Sequence, residues 1–523
     1  MNKPIKNILF FGTINIALIT IYFIKFYFDN TSFLNEYLLY QDPGFSLAVL
    51  REIINGKMLI KDVHIQYGPA GYLLLYPLVS LWGYNLFNYC LFSFLLSLLA
   101  FNILLYLVNS KLNIYYATAF VFFTYAIIIK YHPSPVFFIS DQIFLFMTIL
   151  CLSSAMTSST YTPKHIVLAG VFSAMLHTSK FGLSASTFVV IVLYILFSGH
   201  FDKYRYKYIM QYALGFAAII LVYYLALCFT CGYNIAADMV FPYYLKDHYK
   251  IQHLKSGMFA LPYTYSINYF LGGGYVQFFV IIFTALFFIM QKILNPTARV
   301  PIWICFPMIY IISALLIFRT ESHYLGYFWI CMAGIPLIIE LNTSKIVRFT
   351  IIALFCVPYI IHVLSFVKNN MLTSKTLKIN SIKYPNGETL YFSDEKLYLR
   401  QKALYDSLNS TGIKFNNATT AMVFGSAPGY VYFYDLVFNH RIIYPAHLFI
   451  RPYDMKAFDK SLKESKILFI MNDNLTSRID SVSTKADYDF RSWYPVRDYY
   501  IDLNKYYNKK IIVQNLGVIL LKK

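Results

Sequence analysis

Long apolar runs are the feature of this 523-residue chain that most restricts its fold. Many of the runs reach 18 residues or more, which as α-helix is enough to cross a hydrocarbon core of about 30 Å. Hydrophobic residues make up 58% of the sequence and charged residues 13%. A soluble protein would carry roughly twice that charged fraction. The chain is therefore predicted to be an α-helical polytopic membrane protein.

The apolar runs predict about eleven membrane-spanning helices. They lie at about residues 6–28, 85–109, 113–130, 137–157, 165–179, 182–199, 208–230, 270–291, 300–318, 324–341 and 346–366. With the N-terminus in the cytoplasm, the cytoplasmic loops carry many Lys and Arg residues and few acids, the bias that orients membrane proteins. No small-residue cleavage site follows the first run, so we interpret it as a retained helix of a protein of the inner (plasma) membrane.

Residues 1–366 are expected to form a transmembrane module with two long outer loops, at about 29–84 and 231–269. The first loop contains an apolar stretch, 72–82, that is interrupted by Pro77. This stretch is too short to span a bilayer, so we expect it to lie in the membrane interface.

The last part of the chain, residues 367–523, differs in composition from the rest. Charged residues become more frequent, and short β-rich segments at 420–424, 466–471 and 511–521 alternate with helical segments at 394–409 and 457–464. This alternation predicts a small α/β domain, and eleven crossings would place it outside the cytoplasm. Residues 425–430 match neither common glycine-rich nucleotide motif, so a tight strand-to-helix turn is favoured over a phosphate-binding loop.

Charged side chains gather at the predicted outer ends of the helices. Asp42 opens the first outer loop, Lys57 follows it, Asp141 lies at the outer end of the fourth helix, and Lys180 lies in a tight outer turn. A late outer turn adds Arg319, Glu321, His323 and Tyr324. Transfer of a sugar from a lipid phosphate requires a base for the acceptor hydroxyl and cations for the departing phosphate. These residue types fit both requirements.

Each candidate also has a purely structural interpretation. Asp42 stands before Pro-Gly and could cap a turn or a helix, and Asp141 could cap the helix that follows it. Lys180 and Arg319 could extend to lipid head groups. His323 and its tyrosine neighbour also suit anchoring at the interface. The residues alone leave these alternatives open.

The first outer loop resembles that of the GT-C fold glycosyltransferases, including the bacterial aminoarabinose- and mannosyltransferase-like branches. The likeness rests on Asp42, on Gly56-Lys57, and on Tyr67-Gly68-Pro69 before an interfacial helix. Residues 319–324 are similar to the late outer loop of the family, and 420–445 look like the outer C-terminal domain of bacterial members. The likeness covers most of the chain as pattern and topology. Some branches carry an acidic residue and a lysine just before the first-loop proline, where this chain has Tyr67 and Gly68.

The resemblance implies a GT-C-like enzyme that transfers a sugar, with inversion, from a polyprenyl-phosphate donor to a glycan, glycolipid or protein acceptor. Asp42 would be the catalytic base and Asp141 a second acidic group. The residues implied in substrate or phosphate binding are Lys57, Lys180, Arg319, His323 and Tyr324. A divalent cation held by the two aspartates stays open as a cofactor, membrane lipids are a further partner, and no nucleic acid is expected. The alternatives are a lipid-linked sugar transporter or flippase and a glycan polymerase or ligase.

Overall fold

A computed structural model of the chain describes residues 10–20, 23, 39, 41–65, 68–109, 136–157, 161–241, 274–297, 299–317, 380–392, 395–424, 427–441, 455–471, 505–513 and 516–522. The chain divides into two compact units. The helical unit comprises Met1–Ile16, Leu95–Tyr131 and Phe137–Leu372, and the sheet unit comprises Ala17–Phe94, His132–Val136 and Thr373–Lys523. The domains predicted at 1–366 and 367–523 stay a prediction. The compact units group residues 17–94 with the C-terminal segment.

The described helices in the first part of the chain are separated by short turns or by residues that are not described. In chain order they are α1 (Phe10–Thr20), α2 (Gln41–Ile54), α3 (Ala70–Trp82), α4 (Leu86–Asn109), α5 (Val136–Thr157), α6 (Pro163–Met175), α7 (Phe181–Phe197), α8 (Arg205–Cys231), α9 (Tyr233–Val240), α10 (Gly274–Leu294) and α11 (Cys305–Ile317). A 3₁₀ turn, Ile302–Ile304, leads directly into α11.

Three of the described helices are long and apolar enough to cross a membrane: Leu86–Val108, Ile139–Thr157 and Arg205–Cys231. The helix α8 has 27 residues, which corresponds to about 40 Å of helix. Large apolar side chains such as Met210, Leu221 and Phe229 are exposed along it. Exposed apolar residues of this kind are typical of a helix that faces lipid.

The predicted fold class is confirmed: apolar helices come first, and an α/β sheet follows at the C-terminal end. Predicted helices match α4 to α8, α10 and α11 to within a few residues, and the predicted interfacial stretch forms α3. The segments at 113–130, 324–341 and 346–366 lie outside the described residues, so the count of eleven helices stays a prediction.

Residues 41–54, inside the outer loop predicted at 29–84, form the helix α2, which was not predicted from the sequence. Pro43 lies in the first turn of α2, where its missing N–H and its fixed φ are tolerated. Phe45, Leu47 and Leu50 are buried in the sheet unit. Burial of these apolar side chains stabilises the helix despite the turn-like Asp-Pro-Gly sequence at its start.

In the helical unit, α6 and α8 approach each other very closely. Gly170 of α6 lies against the backbone of Tyr212, and Gly215 of α8 lies against the backbone of Val167. The phenol of Tyr212 also donates a hydrogen bond to Ser173 Oγ at 2.8 Å. Small residues permit this approach, as they do between helices in membranes generally.

The described residues of the sheet unit form two β-sheets. A β-hairpin is formed by β1 (Asn380–Lys383) and β2 (Thr389–Phe392), and α12 (Glu395–Asn409) follows it. The second sheet has five strands in the order β4-β3-β5-β7-β6. These strands are β3 (Thr420–Phe424), β4 (Val437–Phe438), β5 (Ile467–Met471), β6 (Lys509–Val513) and β7 (Gly517–Leu521). Two further described helices of the C-terminal part of this unit are α13 (Gly429–Phe433) and α14 (Met455–Glu464).

The strands β3, β4 and β5 are parallel, whereas β7 is antiparallel to both β5 and β6. Every residue of β5 is buried, as expected for a central strand. The predicted strands at 420–424 and 466–471 match β3 and β5. The segment predicted as one β-rich stretch, 511–521, instead contributes to two paired strands, β6 and β7.

Candidate functional site

Asp141 and Lys180, two residues predicted to belong to the site, lie close together in the helical unit. Asp141 is the sixth residue of α5, inside the helix rather than at its N-cap. Lys180 is the N-cap of α7 and has an extended backbone, with φ −147° and ψ 108°. Its positive charge is near enough to act on the Asp141 carboxylate. The structure therefore brings an acidic and a basic residue that are 39 positions apart in the sequence near each other.

The carboxyl group of Asp141 is buried, with 2% of the residue exposed. The Ser179 hydroxyl interacts with this group and lies 2.6 Å from Ser140 Oγ. Asp141 Oδ1 has no hydrogen-bond partner among the described residues, and the same holds for Nε2 of the buried neighbour Gln142. A buried polar atom without a partner costs about 1–3 kcal/mol. Such atoms are therefore rare and commonly mark the place where a ligand or water binds.

The turn between α6 and α7 holds Lys180 from two sides. The N–H groups of Ser179 and Lys180 both donate to the carbonyl of Leu176, at 3.0 and 2.6 Å. His177 Nε2 lies 2.9 Å from the carbonyl oxygen of Val240, the last residue of α9. Because a helix leaves its final carbonyls without partners, a contact with His177 satisfies one of them. The turn is thus fixed to its own helix and to α9.

His177, Ser140 and Ser179 were not among the residues predicted to belong to the site. The two serines are 0% exposed, and His177 is 7% exposed. These residues could have been found from the sequence because they are polar residues next to Asp141 and Lys180 in segments that are otherwise apolar.

Asp42 and Lys57 both lie in the sheet unit. Asp42 is the second residue of α2, within its first turn. Lys57 follows the end of α2, and its ammonium group pairs with Glu52 and donates a hydrogen bond to the carbonyl of Phe438 at 2.9 Å. The lysine for which a phosphate contact was predicted therefore already has two protein partners.

The remaining predicted site residues, Arg319, His323 and Tyr324, lie outside the described residues. Within the described ranges, no group of three or more His, Cys, Asp or Glu side chains is placed to hold a metal ion. A divalent cation bound by Asp42 and Asp141 stays an open alternative.

Comparison with known proteins finds solved structures that are similar to this chain. No protein-family model matches the sequence, and no curated protein matches it. The chain is similar to the crystal structure of ArnT from Cupriavidus metallidurans bound to undecaprenyl phosphate, with 10% sequence identity and a TM-score of 0.49. The alignment covers 98% of this chain and 97% of that chain, so the similarity extends over nearly the full length of both.

Proposed function

We propose that this protein is an integral membrane glycosyltransferase that moves a sugar from a polyprenyl-phosphate donor to a hydroxyl acceptor at the outer face of the inner membrane. The observation that carries the proposal is the buried Asp141 carboxylate beside Lys180, in a chain with helices apolar enough to cross a membrane. The resemblance of the first loop to GT-C transferases, which rests on Asp42 and the segments after it, supports the same reaction.

In the proposed reaction, Asp42 accepts the proton of the acceptor hydroxyl. The acceptor oxygen then attacks the anomeric carbon, and the bond from that carbon to the lipid phosphate breaks with inversion. The departing phosphate takes the bonding electron pair, and cations near it stabilise the added negative charge. Lys180, Arg319 and His323 are the proposed cations. Asp141, through its charge and its unpartnered oxygen, would hold Lys180 in place and bind a polar group of the substrate.

One observation favours a second function, the transport of a lipid-linked sugar. Asp141 is buried within a helix apolar enough to span a membrane. Ionisable residues inside such helices commonly mark a transport pathway. A transporter would move the lipid-linked sugar across the membrane and leave its phosphate bond intact, whereas a transferase would cleave that bond.

The experiment that tests the proposal is mass-spectrometric profiling of glycans and lipid-linked sugars in the native host. Wild type, a deletion, and Asp42→Asn and Asp141→Asn variants at equal expression would be compared, with Asp202→Asn, an exposed site in a turn, as the matched control. We expect the deletion and both site variants to lack one sugar and accumulate its donor lipid, with losses of about 100-fold or more for Asp42→Asn. Asp202→Asn should match wild type.

The side of the membrane on which the donor accumulates separates the two functions. Periodate, applied to spheroplasts that it does not enter, should oxidise the accumulated sugar if a transferase is missing. A sugar that stays protected from periodate would instead indicate a missing transporter. Full wild-type glycan in Asp42→Asn would show that Asp42 is not the base.

A further inference from the structure

The helix α2 carries a buried arginine that binds the C-terminal part of the sheet unit. Arg51 is 8% exposed. Its Nη1 donates hydrogen bonds to the carbonyls of Val431, at 2.9 Å, and Tyr432, at 3.1 Å, and its Nη2 pairs with Asp435. Removing a guanidinium group from water costs several kcal/mol unless partners replace the water. Arg51 has three such partners, all about 380 positions away in the sequence.

The partners of Arg51 form the C-terminal end of α13. Leu436 N–H donates to the carbonyl of Val431 at 2.9 Å, and Asp435 N–H donates to that of Tyr432 at 3.2 Å. These two bonds make a Schellman motif, which ends a helix and uses its final carbonyls. Each carbonyl has a second lone pair, and Arg51 occupies it on both. The Arg51 side chain of α2 therefore caps the C-terminal end of α13, in addition to the cap that the α13 backbone forms.

Asp435 has a backbone conformation that glycine normally adopts. Its φ is +54°, in the left-handed region, at the position where the Schellman motif usually has glycine. An L-residue there is strained, because its Cβ atom lies too close to the carbonyl oxygen that follows. Asp435 supplies the carboxylate that pairs with Arg51, which glycine could not do. Asp435 is therefore explained by its ion pair with Arg51 rather than by the conformation of the turn, which glycine would fit better.

The residues that follow Arg51 extend the same contact. Glu52 is 1% exposed, accepts a hydrogen bond from Phe438 N–H at 3.5 Å and pairs with Lys57. The ammonium group of Lys57 donates to the carbonyl of Phe438, and His64 N–H donates to the carbonyl of Arg441 at 2.6 Å. Residues 51–64 are therefore bound along residues 431–441 by charged and backbone groups.

We propose that Arg51 is a positioning residue that fixes α2, and with it Asp42 in the first turn, to the end of α13. This inference rests on the proposed function, in which Asp42 is the base. Arg51 follows Asp42 by nine residues, about 13 Å along the helix axis, so it acts through the helix rather than on the substrate. Displacement of a catalytic group by 1 Å can reduce the rate by about 100-fold. Loosening the Arg51 contact therefore lowers the rate without removing any group that touches the substrate.

The test uses the purified full chain in lipid nanodiscs, with the lipid extract of the deletion strain as the source of donor and acceptor. The variants are Arg51→Lys, Asp435→Gly and Asp435→Asn. Lys402→Ala is the matched control, because it removes an exposed ion pair, with Asp406, from α12 of the same unit. Maximal rate per folded enzyme, half-saturating extract concentration, unfolding temperature and hydrogen exchange are measured for each.

For Arg51→Lys and Asp435→Gly we expect the maximal rate to fall about 10- to 100-fold, with the half-saturating concentration unchanged. Residues 41–54 should exchange hydrogen faster, while residues 395–409 should not. Asp435→Gly removes the carboxylate partner of Arg51 but also relieves the left-handed backbone strain, so these two effects on its unfolding temperature oppose each other. Asp435→Asn, which keeps an acceptor and tolerates the left-handed conformation, should recover part of the rate.

If Arg51 has only a structural role, activity falls only as far as the amount of folded protein falls. The maximal rate per folded enzyme of Asp435→Gly would then equal that of wild type. That result overturns the inference, as does a wild-type rate in Arg51→Lys, whether or not residues 41–54 exchange faster. If Arg51→Lys does not fold, the two Asp435 variants decide. Failure of the proposed function appears separately, as full activity of Asp42→Asn, and does not depend on the exchange of α2.

Discussion

The contact between α6 and α8 depends on two glycines, and replacing either with alanine should destabilise the protein. A Cβ atom at Gly170 would lie 2.2 Å from the carbonyl oxygen of Tyr212, and one at Gly215 would lie 2.4 Å from that of Val167. Real Cβ atoms essentially never come within 3.0 Å of such an atom. For Gly170→Ala, moving from 2.2 to 3.0 Å requires the two helices to separate by about 0.8 Å.

The expected cost follows from this separation. Overpacking of a close contact costs about 1–3 kcal/mol. A shift of about 0.8 Å would also stretch the 2.8 Å hydrogen bond from Tyr212 to Ser173 beyond useful length, which removes about 0.5–1.5 kcal/mol. Alanine recovers about 0.5–1 kcal/mol of helix propensity. The net loss for Gly170→Ala is therefore about 0.5–4 kcal/mol. A single separation of α6 from α8 would remove the steric clash at both glycine positions. The double variant Gly170→Ala/Gly215→Ala should therefore lose less stability than the sum of the two single variants.

The free energy of unfolding of the purified protein in detergent, followed by tryptophan fluorescence, measures the effect. Gly12→Ala is the matched control, because no atom of the described residues lies within 4 Å of a Cβ atom built there. Helix propensity alone then predicts a small stabilisation, about 0.5–1 kcal/mol. The packing argument fails if Gly170→Ala is as stable as wild type, or if the effects of the two glycine substitutions are fully additive.

Three further predictions concern other described contacts. Asn15 and Asn102 exchange two side-chain hydrogen bonds of 2.9 Å, so a double-mutant cycle with leucine should give a coupling energy of about 0.6–1.7 kcal/mol in unfolding, and zero coupling would contradict the pair. Glu388 accepts the N–H of Leu86, the first residue of α4, at 2.8 Å, so Glu388→Ala should lower the unfolding free energy by about 1 kcal/mol. Glu395→Ala, at an exposed site, should change the unfolding free energy by less than about 0.5 kcal/mol, and equal effects of the two would refute the cap. Burial raises the pKa of Tyr432 well above its ordinary value of 10.0, with Glu388 adding to the shift, so the folded state holds the phenol proton more tightly than the unfolded state. Unfolding free energy should therefore be independent of this group below pH 10.0 and fall above it, and denaturant titrations of Tyr432→Phe should show a shallower alkaline fall.

Apolar periodicity and length were enough to predict most described helices, because a spanning helix must hold a long apolar run. The strand at Thr420–Phe424 was also predicted with its observed bounds. The helix α2 was missed because Asp42-Pro43-Gly44 is typical of a turn, while the energy that stabilises the helix comes from tertiary burial of its apolar side. The paired strands β6 and β7 were predicted as one segment because the last three residues of β6 and all of β7 are apolar, and only Leu516 and its two predecessors separate the strands.

The site was predictable in part. Charge patterns placed Asp141 and Lys180 at helix ends on the same predicted side, but their pairing depends on how α5 and α7 pack, which local sequence does not specify. The buried pair Arg51 and Glu52 could not be recognised at all. Charged residues in a presumed loop are usually solvated. Apart from Lys57, which pairs with Glu52, the groups that bind these two residues lie more than 370 positions further along the chain.

The pairing of Arg51 with the end of α13 also sets an order of events during biosynthesis. The acceptor carbonyl of Val431 is made 380 residues after Arg51. At about 5–20 residues per second, ribosomes take roughly 20–80 s to make that intervening length. Throughout this interval the groups that bind Arg51 have not yet been synthesised. Its guanidinium group must therefore be hydrated or bound by other factors. Docking of the first-loop helix is therefore one of the last folding steps, and a nascent chain does not hold Asp42 in its final place until synthesis is nearly complete.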